Sequence, residues 1–285
     1  METSRLGLIA GNGSFPILVL EEALRQGIEV VVAAISEEAS AEIEQIVDAS
    51  EGVASVHWLG VGQLGKLLKI FKSAGISRAV MAGQVKHVQI FASRGATPAG
   101  RLAALPDLRM LRLLASLKHR NTESLINGIM GVLEKEGIEL MDSTFLLGSL
   151  VPEQGVLTRR LPSRNEKRDL EYGRRVATEL TRLDLGQTVV VKDRAVVAIE
   201  AMEGTDETIR RAAQLVAGQP LRVVKASRPS QDMRFDVPVI GLRTLDVIEE
   251  CNVSAISIDA ERTLIMDRMS FVRGADRLGI AVVAE

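Results

Sequence analysis

Cysteine is almost missing from this sequence: Cys251 stands alone among 285 residues, so no internal disulfide can form and a reducing compartment is expected. Aromatic residues make up only 3% of the chain, which leaves core packing to Val, Leu, Ile and Ala. Neither sign of charge dominates, with 35 basic against 37 acidic residues. The whole molecule therefore has no field to draw it onto a polyanion, and nucleic acid is not an expected partner. No window approaches the ~20 apolar residues needed to span a bilayer. The start, Met1-Glu2-Thr3-Ser4-Arg5, has no apolar h-region and no small-residue cleavage pattern, which speaks for a cytoplasmic protein.

What is present fits an ordinary globular protein: 46% hydrophobic and 25% charged residues, over a length that favours two domains. The first half alternates short apolar runs (6–10, 29–34, 56–59, 78–82) with amphipathic stretches (16–26, 63–74). That alternation predicts an α/β domain, a Rossmann-like parallel sheet covered by helices. Residues 107–136 read as helical, with a cap at Asn121-Thr122, and a strand follows at 138–141. The first domain is placed at 1–147. Residues 148–165 carry two prolines, a glycine and three arginines with no period, which suits a linker or a loop over a site. A second α/β domain is placed at 166–285, with a helix at 166–183, a hairpin turning at Asp193-Arg194, and short strands alternating with helices to the end.

The first chemical candidate is the turn Gly11-Asn12-Gly13-Ser14-Phe15-Pro16 between strand one and helix one. Glycines let the backbone approach a ligand, and the helix N-terminus offers N–H groups to an anion. Pro16 stands where a dinucleotide fingerprint has its third glycine, and strand two ends in Ala33-Ala34-Ile35 with no acid for a ribose. A phosphate is expected here rather than NAD, with a plain tight turn as the alternative. A second turn, Gly83-Gln84-Val85-Lys86-His87, opens on the same carboxyl edge, where Lys86 could meet a phosphate or stand as a solvated loop residue. His57 and His119 have no ligand-spaced partners and read as structural.

The richest cluster is in the second half. Glu200-Ala201-Met202-Glu203-Gly204-Thr205-Asp206 and Lys225-Ala226-Ser227-Arg228-Pro229-Ser230-Gln231-Asp232-Met233-Arg234-Phe235-Asp236 interleave five carboxylates with Lys225, Arg228 and Arg234. Carboxylates suit Mg²⁺, and cations beside them suit phosphate, so the two loops together read as equipment for cleaving a pyrophosphate. The bland alternative is a helix N-cap at Thr205 or Asp206 with solvated loop acids. The basic, apolar stretch 107–118 reads as a core helix with a solvated edge, or as a contact for an anionic membrane surface.

Taken together, Gly7 to Gly13 with Pro16, the run Arg182-Leu183-Asp184-Leu185-Gly186-Gln187, the Glu200–Asp206 box and Pro229 to Gly241 resemble the UDP-2,3-diacylglucosamine pyrophosphatases of lipid A biosynthesis, in the isozyme family unrelated to the calcineurin-like metallophosphoesterases. The resemblance implies a Mg²⁺-dependent hydrolase, with Mn²⁺ as a substitute ion, that releases UMP and 2,3-diacylglucosamine 1-phosphate (lipid X) after water attacks the β-phosphorus. It implies a carboxy-terminal catalytic domain of unusual α/β topology, with the lipid held in a cleft between the domains. Asp236 matches the family's essential aspartate. Asp236, Glu203 and Asp206 are then the catalytic candidates, and Asp236, Glu200 and Asp232 the metal candidates. Gly11, Asn12, Gly13, Gly83, Lys86, Thr205, Lys225, Gln231 and Arg234 are the substrate-binding candidates. Expected partners are the nucleotide-linked diacyl sugar and its lipid product, with transient contact at the inner-membrane surface and a homodimer left open. The sequence departs from the family at Arg120-Asn121-Thr122-Glu123, where a Gly-Asp-Asp is usual, and at Lys86-His87, where Arg-Pro is usual. Two rivals stay open: a pyrophosphatase for another nucleotide-sugar or lipid diphosphate, and a nucleotide- or lipid-binding protein without turnover.

Overall fold

The computed structural model describes residues 4–36, 38–83, 106–117, 122–183, 185–228, 231–235 and 237–285. The chain divides into two compact units, Met1–Leu146 and Leu147–Glu285.

In the first unit the order is β1 (Arg5–Ala10), α1 (Phe15–Arg25), β2 (Glu29–Ile35), α2 (Glu42–Ala49), β3 (Ala54–Leu59), α3 (Leu64–Ser73), β4 (Arg78–Ala82), α4 (Leu108–Ser116), α5 (Thr122–Lys135) and β5 (Glu139–Leu140). All five strands are parallel, in the order β3-β2-β1-β4-β5. The central β1 and β2 are continuous apolar runs because helices cover a parallel sheet on both faces, whereas edge strand β3 shows alternating burial. Sequence periodicity missed α2. Its eight residues bury only Ile43 and Val47, too few apolar positions to stand out against the polar residues around them. Chain order reverses between β1 and β4, and that switch point opens a crevice at the carboxyl ends of the strands.

In the second unit the elements are β6 (Gly155–Val156), α6 (Arg164–Arg182), β7 (Thr188–Lys192), β8 (Ala195–Ile199), α7 (Thr205–Leu215), β9 (Leu221–Lys225), β10 (Val239–Ile240), α8 (Leu242–Glu250), β11 (Val253–Ile258), β12 (Leu264–Ile265), α9 (Arg268–Arg277) and β13 (Ala281–Ala284). A mixed six-stranded sheet runs β6-β13-β11-β9-β7-β8, and β10 pairs with β12 in a separate ribbon. Strands β9, β11 and β13 are parallel, while β6, β7 and β8 each run antiparallel to their neighbours. Strand alternation sorts the two faces. Val189, Val191 and Val224 pack under α6 with Leu170 and Ala177. Val190, Val223, Ile256 and Val282 face the other way, toward Ile209, Leu245, Ile248 and Phe271.

Helix α6 opens with a capping box. Ser163 accepts from Glu166 N, and the Glu166 side chain accepts from Ser163 N. The expected hairpin is formed by β7 and β8, with Asp193 and Arg194 both at positive φ (50° and 58°), as a two-residue type I′ turn requires. Residues 148–165, read from the sequence as linker or loop, hold a 3₁₀ turn at Gly148–Leu150 and edge strand β6, which pairs with β13. Arg160 fixes this stretch further, with a bidentate fork on Glu166 (2.8 and 2.9 Å) and a bond to the Gly279 carbonyl.

Candidate active site

Each sheet presents one edge where candidate site residues gather. In the first unit it is the crevice beside β1 and β4. Gly11 N donates to the Ala82 carbonyl (2.8 Å), which joins the two turns. Gly83 has φ +85°, and a Cβ there would lie 2.5 Å from the Asn12 oxygen and 2.9 Å from Pro16 Cγ. Only glycine fits so close a passage of two backbones. Gly11, Asn12, Gly13 and Gly83 are thus brought together. Ser14, at the N-cap of α1, makes no side-chain cap bond. Lys86, the remaining expected member, and His119 lie outside the described residues.

The crevice also holds a carboxylate that inspection of the strand end alone overlooked. Glu38, 7% exposed, lies just beyond β2, and its Oε2 accepts from Asn12 Nδ2 at 3.2 Å. The signal was an acid some two dozen positions after the glycine turn, displaced a few residues past Ile35.

In the second unit the pairing directions bring the amino end of β7 and the carboxyl ends of β8, β9, β11 and β13 to one edge. There Lys225 Nζ donates to Thr205 Oγ1 (3.0 Å), and Thr205 Oγ1 donates to Glu200 Oε1 (3.3 Å). The hydroxyl of Thr188, itself 1% exposed, lies 3.0 Å from that of Thr205. Gln187 N donates to Glu200 Oε2 (3.3 Å). An ammonium is thereby linked through a hydroxyl to a carboxylate at the start of α7, where helix N–H groups also point outward. Gly186 (φ +51°) lies against the Glu200 backbone, where a Cβ would collide with the carbonyl.

The other expected residues are placed separately. Glu203 accepts from Ala201 N (3.1 Å) and from Arg211 (2.6 Å). Its own backbone N–H first, and Arg211 second, hold its carboxyl down to about 2, which makes it a poor proton acceptor near neutral pH. Asp206 pairs with Arg243 (3.1 Å). Asp232 is clamped by Arg234 through Nε (2.9 Å) and Nη2 (2.6 Å), and the guanidinium keeps its carboxyl below the usual range. Gln231, 8% exposed, accepts from Arg228 N (2.9 Å). Asp236 lies outside the described residues.

Further along the same edge is a cluster that sequence inspection did not single out. Arg174, on α6, is bonded to Asp259, to Ser257 Oγ (2.5 Å) and to Glu285 (3.2 Å). Asp259 Oδ2 accepts from Ser227 N at 2.5 Å, so this pair anchors the start of the loop that carries Gln231 and Arg234. An acid directly after a parallel strand was the available signal.

For a cation, the described members of the expected donor set do not fit. Glu200 is engaged by a hydroxyl and an N–H, Asp232 by a guanidinium, and among the described residues no group of three His, Cys, Asp or Glu is placed to hold a metal.

Both halves of the chain match one family: residues 5–150 match the LpxI N-terminal domain, and residues 153–283 the LpxI C-terminal domain. The chain belongs to the LpxI family. A relative named UDP-2,3-diacylglucosamine pyrophosphatase LpxI, from Caulobacter vibrioides, is 29% identical over 289 residues, covering 98% of this chain and 96% of its own length. Two solved structures show faint likenesses. The biotin carboxylase domain dimer of Hydrogenobacter thermophilus 2-oxoglutarate carboxylase has 12% identity and a TM-score of 0.25, over 76% of this chain and 42% of that one. An L-amino acid ligase from Bacillus licheniformis has 14% identity and a TM-score of 0.21, over 73% and 42%. Likenesses at that level carry no argument. Two candidate features therefore stand on this chain's own geometry: the backbone-lined crevice of the first unit and the charged sheet edge of the second.

Proposed function

We propose that this LpxI-family chain hydrolyses the diphosphate of UDP-2,3-diacylglucosamine, releasing UMP and 2,3-diacylglucosamine 1-phosphate for lipid A synthesis in the cytoplasm. The observation that carries this is the family match over both halves, joined to a relative of that name aligned over nearly the whole chain. The second unit's edge supports it with suitable chemistry. Lys225, held by Thr205 at 3.0 Å, places a cation beside the amino end of α7, where both act on phosphate oxygens as charge develops. Glu200 accepts from Thr205 at 3.3 Å, which orients the hydroxyl so that its lone pairs face Lys225. Asp236 is proposed as the group that activates water for attack on the β-phosphorus.

Mg²⁺, when bound, would neutralise diphosphate charge. No step is assigned through it, because the described carboxylates do not form a donor set. The acyl chains are proposed to bring the chain to the anionic membrane surface through α4, where Leu108 and Leu111 are 62% and 50% exposed and Arg112 is also exposed. Among the described residues no helix is long and apolar enough to cross a membrane.

The test measures UMP release from UDP-2,3-diacylglucosamine beside UDP-GlcNAc, with and without Mg²⁺, for the natural chain and Asp236→Ala. Selective turnover that collapses in the variant is expected, and the arms with and without Mg²⁺ decide whether the ion takes part. Binding without UMP release under any divalent ion would sink the hydrolase and leave a binding protein. Turnover of a different diphosphate would replace the substrate.

A further inference from the structure

We infer that Arg174 and Asp259 are positioning residues for the reaction: together they fix the loop that leads from Lys225 to Arg234, and with it the side chains there that meet the diphosphate. This deepens the hydrolase proposal and rests on it for the identity of the ligand. Strand β9 leaves its sheet at a defined point. Lys225 is its last residue, paired on one side with Ile258 and on the other with Thr188, and Ala226 N still donates to the Gln187 carbonyl at 2.8 Å. The next N–H belongs to Ser227, 8% exposed, and a buried N–H needs an acceptor. A carbonyl of the neighbouring strand would have extended the ladder. The acceptor is instead Asp259 Oδ2, at 2.5 Å, a side chain just past the end of β11, so the pairing stops there and the chain passes into the loop.

Asp259 is itself held in place. Its other oxygen accepts from Arg174 of α6, whose guanidinium also donates to Ser257 Oγ (2.5 Å) and to Glu285 (3.2 Å). The side chains of Arg174 and Asp259 are only 21% and 18% exposed, which leaves the pair little freedom to turn away. The segment that begins at Asp259 tethers the loop a second time. Its carbonyl accepts from Thr263 N (3.2 Å), and in the turn so formed Arg262 Nη2 donates to the Gln231 carbonyl (3.4 Å). Between the two tethers the loop closes on itself, with Gln231 N donating to the Arg228 carbonyl (3.0 Å) and Arg228 N to Gln231 Oε1 (2.9 Å). Ion pairs taken out of water often stabilise no more than apolar replacements would. What this one supplies is a single path for the loop that carries Gln231 and Arg234, starting directly after Lys225.

Steady-state UMP release from UDP-2,3-diacylglucosamine, measured with the thermal unfolding midpoint of each sample, tests this. In Asp259→Asn one amide oxygen cannot serve both Ser227 and Arg174. There kcat should fall about 10- to 100-fold, the cost of charge-assisted contacts misplaced in the transition state, while KM changes less than about threefold. Arg174→Met should act in the same direction, and Arg174→Lys should recover part of the loss, because the charge returns without the fork. Arg262→Ala, at a half-buried position outside the cores, removes only the second tether and should cost roughly three- to tenfold. In an Arg234→Met background, Asp259→Asn should cost less than about threefold more, since losses that pass through one loop do not multiply. A lower midpoint with kcat per folded molecule unchanged in Asp259→Asn, or losses that multiply in full with Arg234→Met, would overturn the proposal. Amide hydrogen exchange separates it from the hydrolase. The Ser227 and Gln231 amides should exchange at least ~10-fold faster in Asp259→Asn than in the natural chain, with Val223 and Val224 unchanged. Faster exchange in a chain that releases no UMP keeps the anchored loop and rejects the hydrolase. UMP release with unchanged exchange rejects the anchor and leaves the hydrolase.

Discussion

The two sheet edges are built in opposite ways. The first unit's edge is all parallel and lined mostly by backbone: Gly83 passes so close to Gly11 and Asn12 that a side chain there is excluded, and one buried carboxylate is supplied from beyond β2. The second unit's edge mixes strand directions, so it gathers ends from five neighbouring strands, and with them Lys225, Thr188, Thr205, Glu200 and Asp259. The parallel edge offers backbone geometry, and the mixed edge offers charge. Substitutions should therefore act differently: added atoms should damage both edges through their glycines, whereas removed charges should damage the second far more.

The largest effect is expected from Gly186→Ala and Gly83→Ala. Each adds a Cβ at positive φ against the backbone of the facing turn, and a loss of about 4 kcal/mol follows from strain plus collision. Thermal unfolding should show a midpoint lower by roughly 10 °C; an unchanged midpoint would mean that the facing turns can part freely.

Next comes pH. Burial raises the Glu166 carboxyl, but the Arg160 fork with the Ser254 and Ser163 bonds outweighs it and holds the group at about 2, against an ordinary 4.5. Its folded value is depressed, so its stabilisation is full above the unfolded value and is lost as pH falls from about 4.5 through about 2. That contribution is on the order of 3 kcal/mol. Urea unfolding at pH 7 and pH 3 should reveal the loss in the natural chain, with a shallower pH slope in Arg160→Met.

Lys225→Ala should lower kcat/KM for UMP release about a hundredfold, the cost of one charge-assisted contact with the reacting phosphates. A fall under threefold would move the phosphate site away from this edge. The smallest effect belongs to Arg243→Ala. Its guanidinium is 84% exposed beside Asp206, and solvent-screened pairs contribute well under 1 kcal/mol. A loss in turnover above tenfold would instead show that Asp206 works in the reaction and needs Arg243.

Much of the fold was legible because its signals are local. The runs that became β1, β2 and β4 are apolar after their first residue, and Asp193-Arg194 between two valine-rich stretches marks a hairpin. Helix α2 and strand β6 were not legible: one buries two residues and the other forms only against β13. At the candidate site, the sequence brought Glu200, Thr205 and Lys225 into one group, and the structure links them. It also grouped Glu203, Asp206 and Asp232 with them, although each faces its own arginine.

The sequence by itself determined the composition of the cores, the sites of the tight turns and the family to which the chain belongs, because periodicity, glycine placement and motif identity are properties of neighbours along the chain. Only the tertiary structure decided which charges meet. Glu38 reaches Asn12 across 26 positions, Lys225 reaches Thr205 across 20, and Arg174 reaches Asp259 across 85. Strand order and direction set those distances, and a side chain's partner is chosen by the strand end beside it in space.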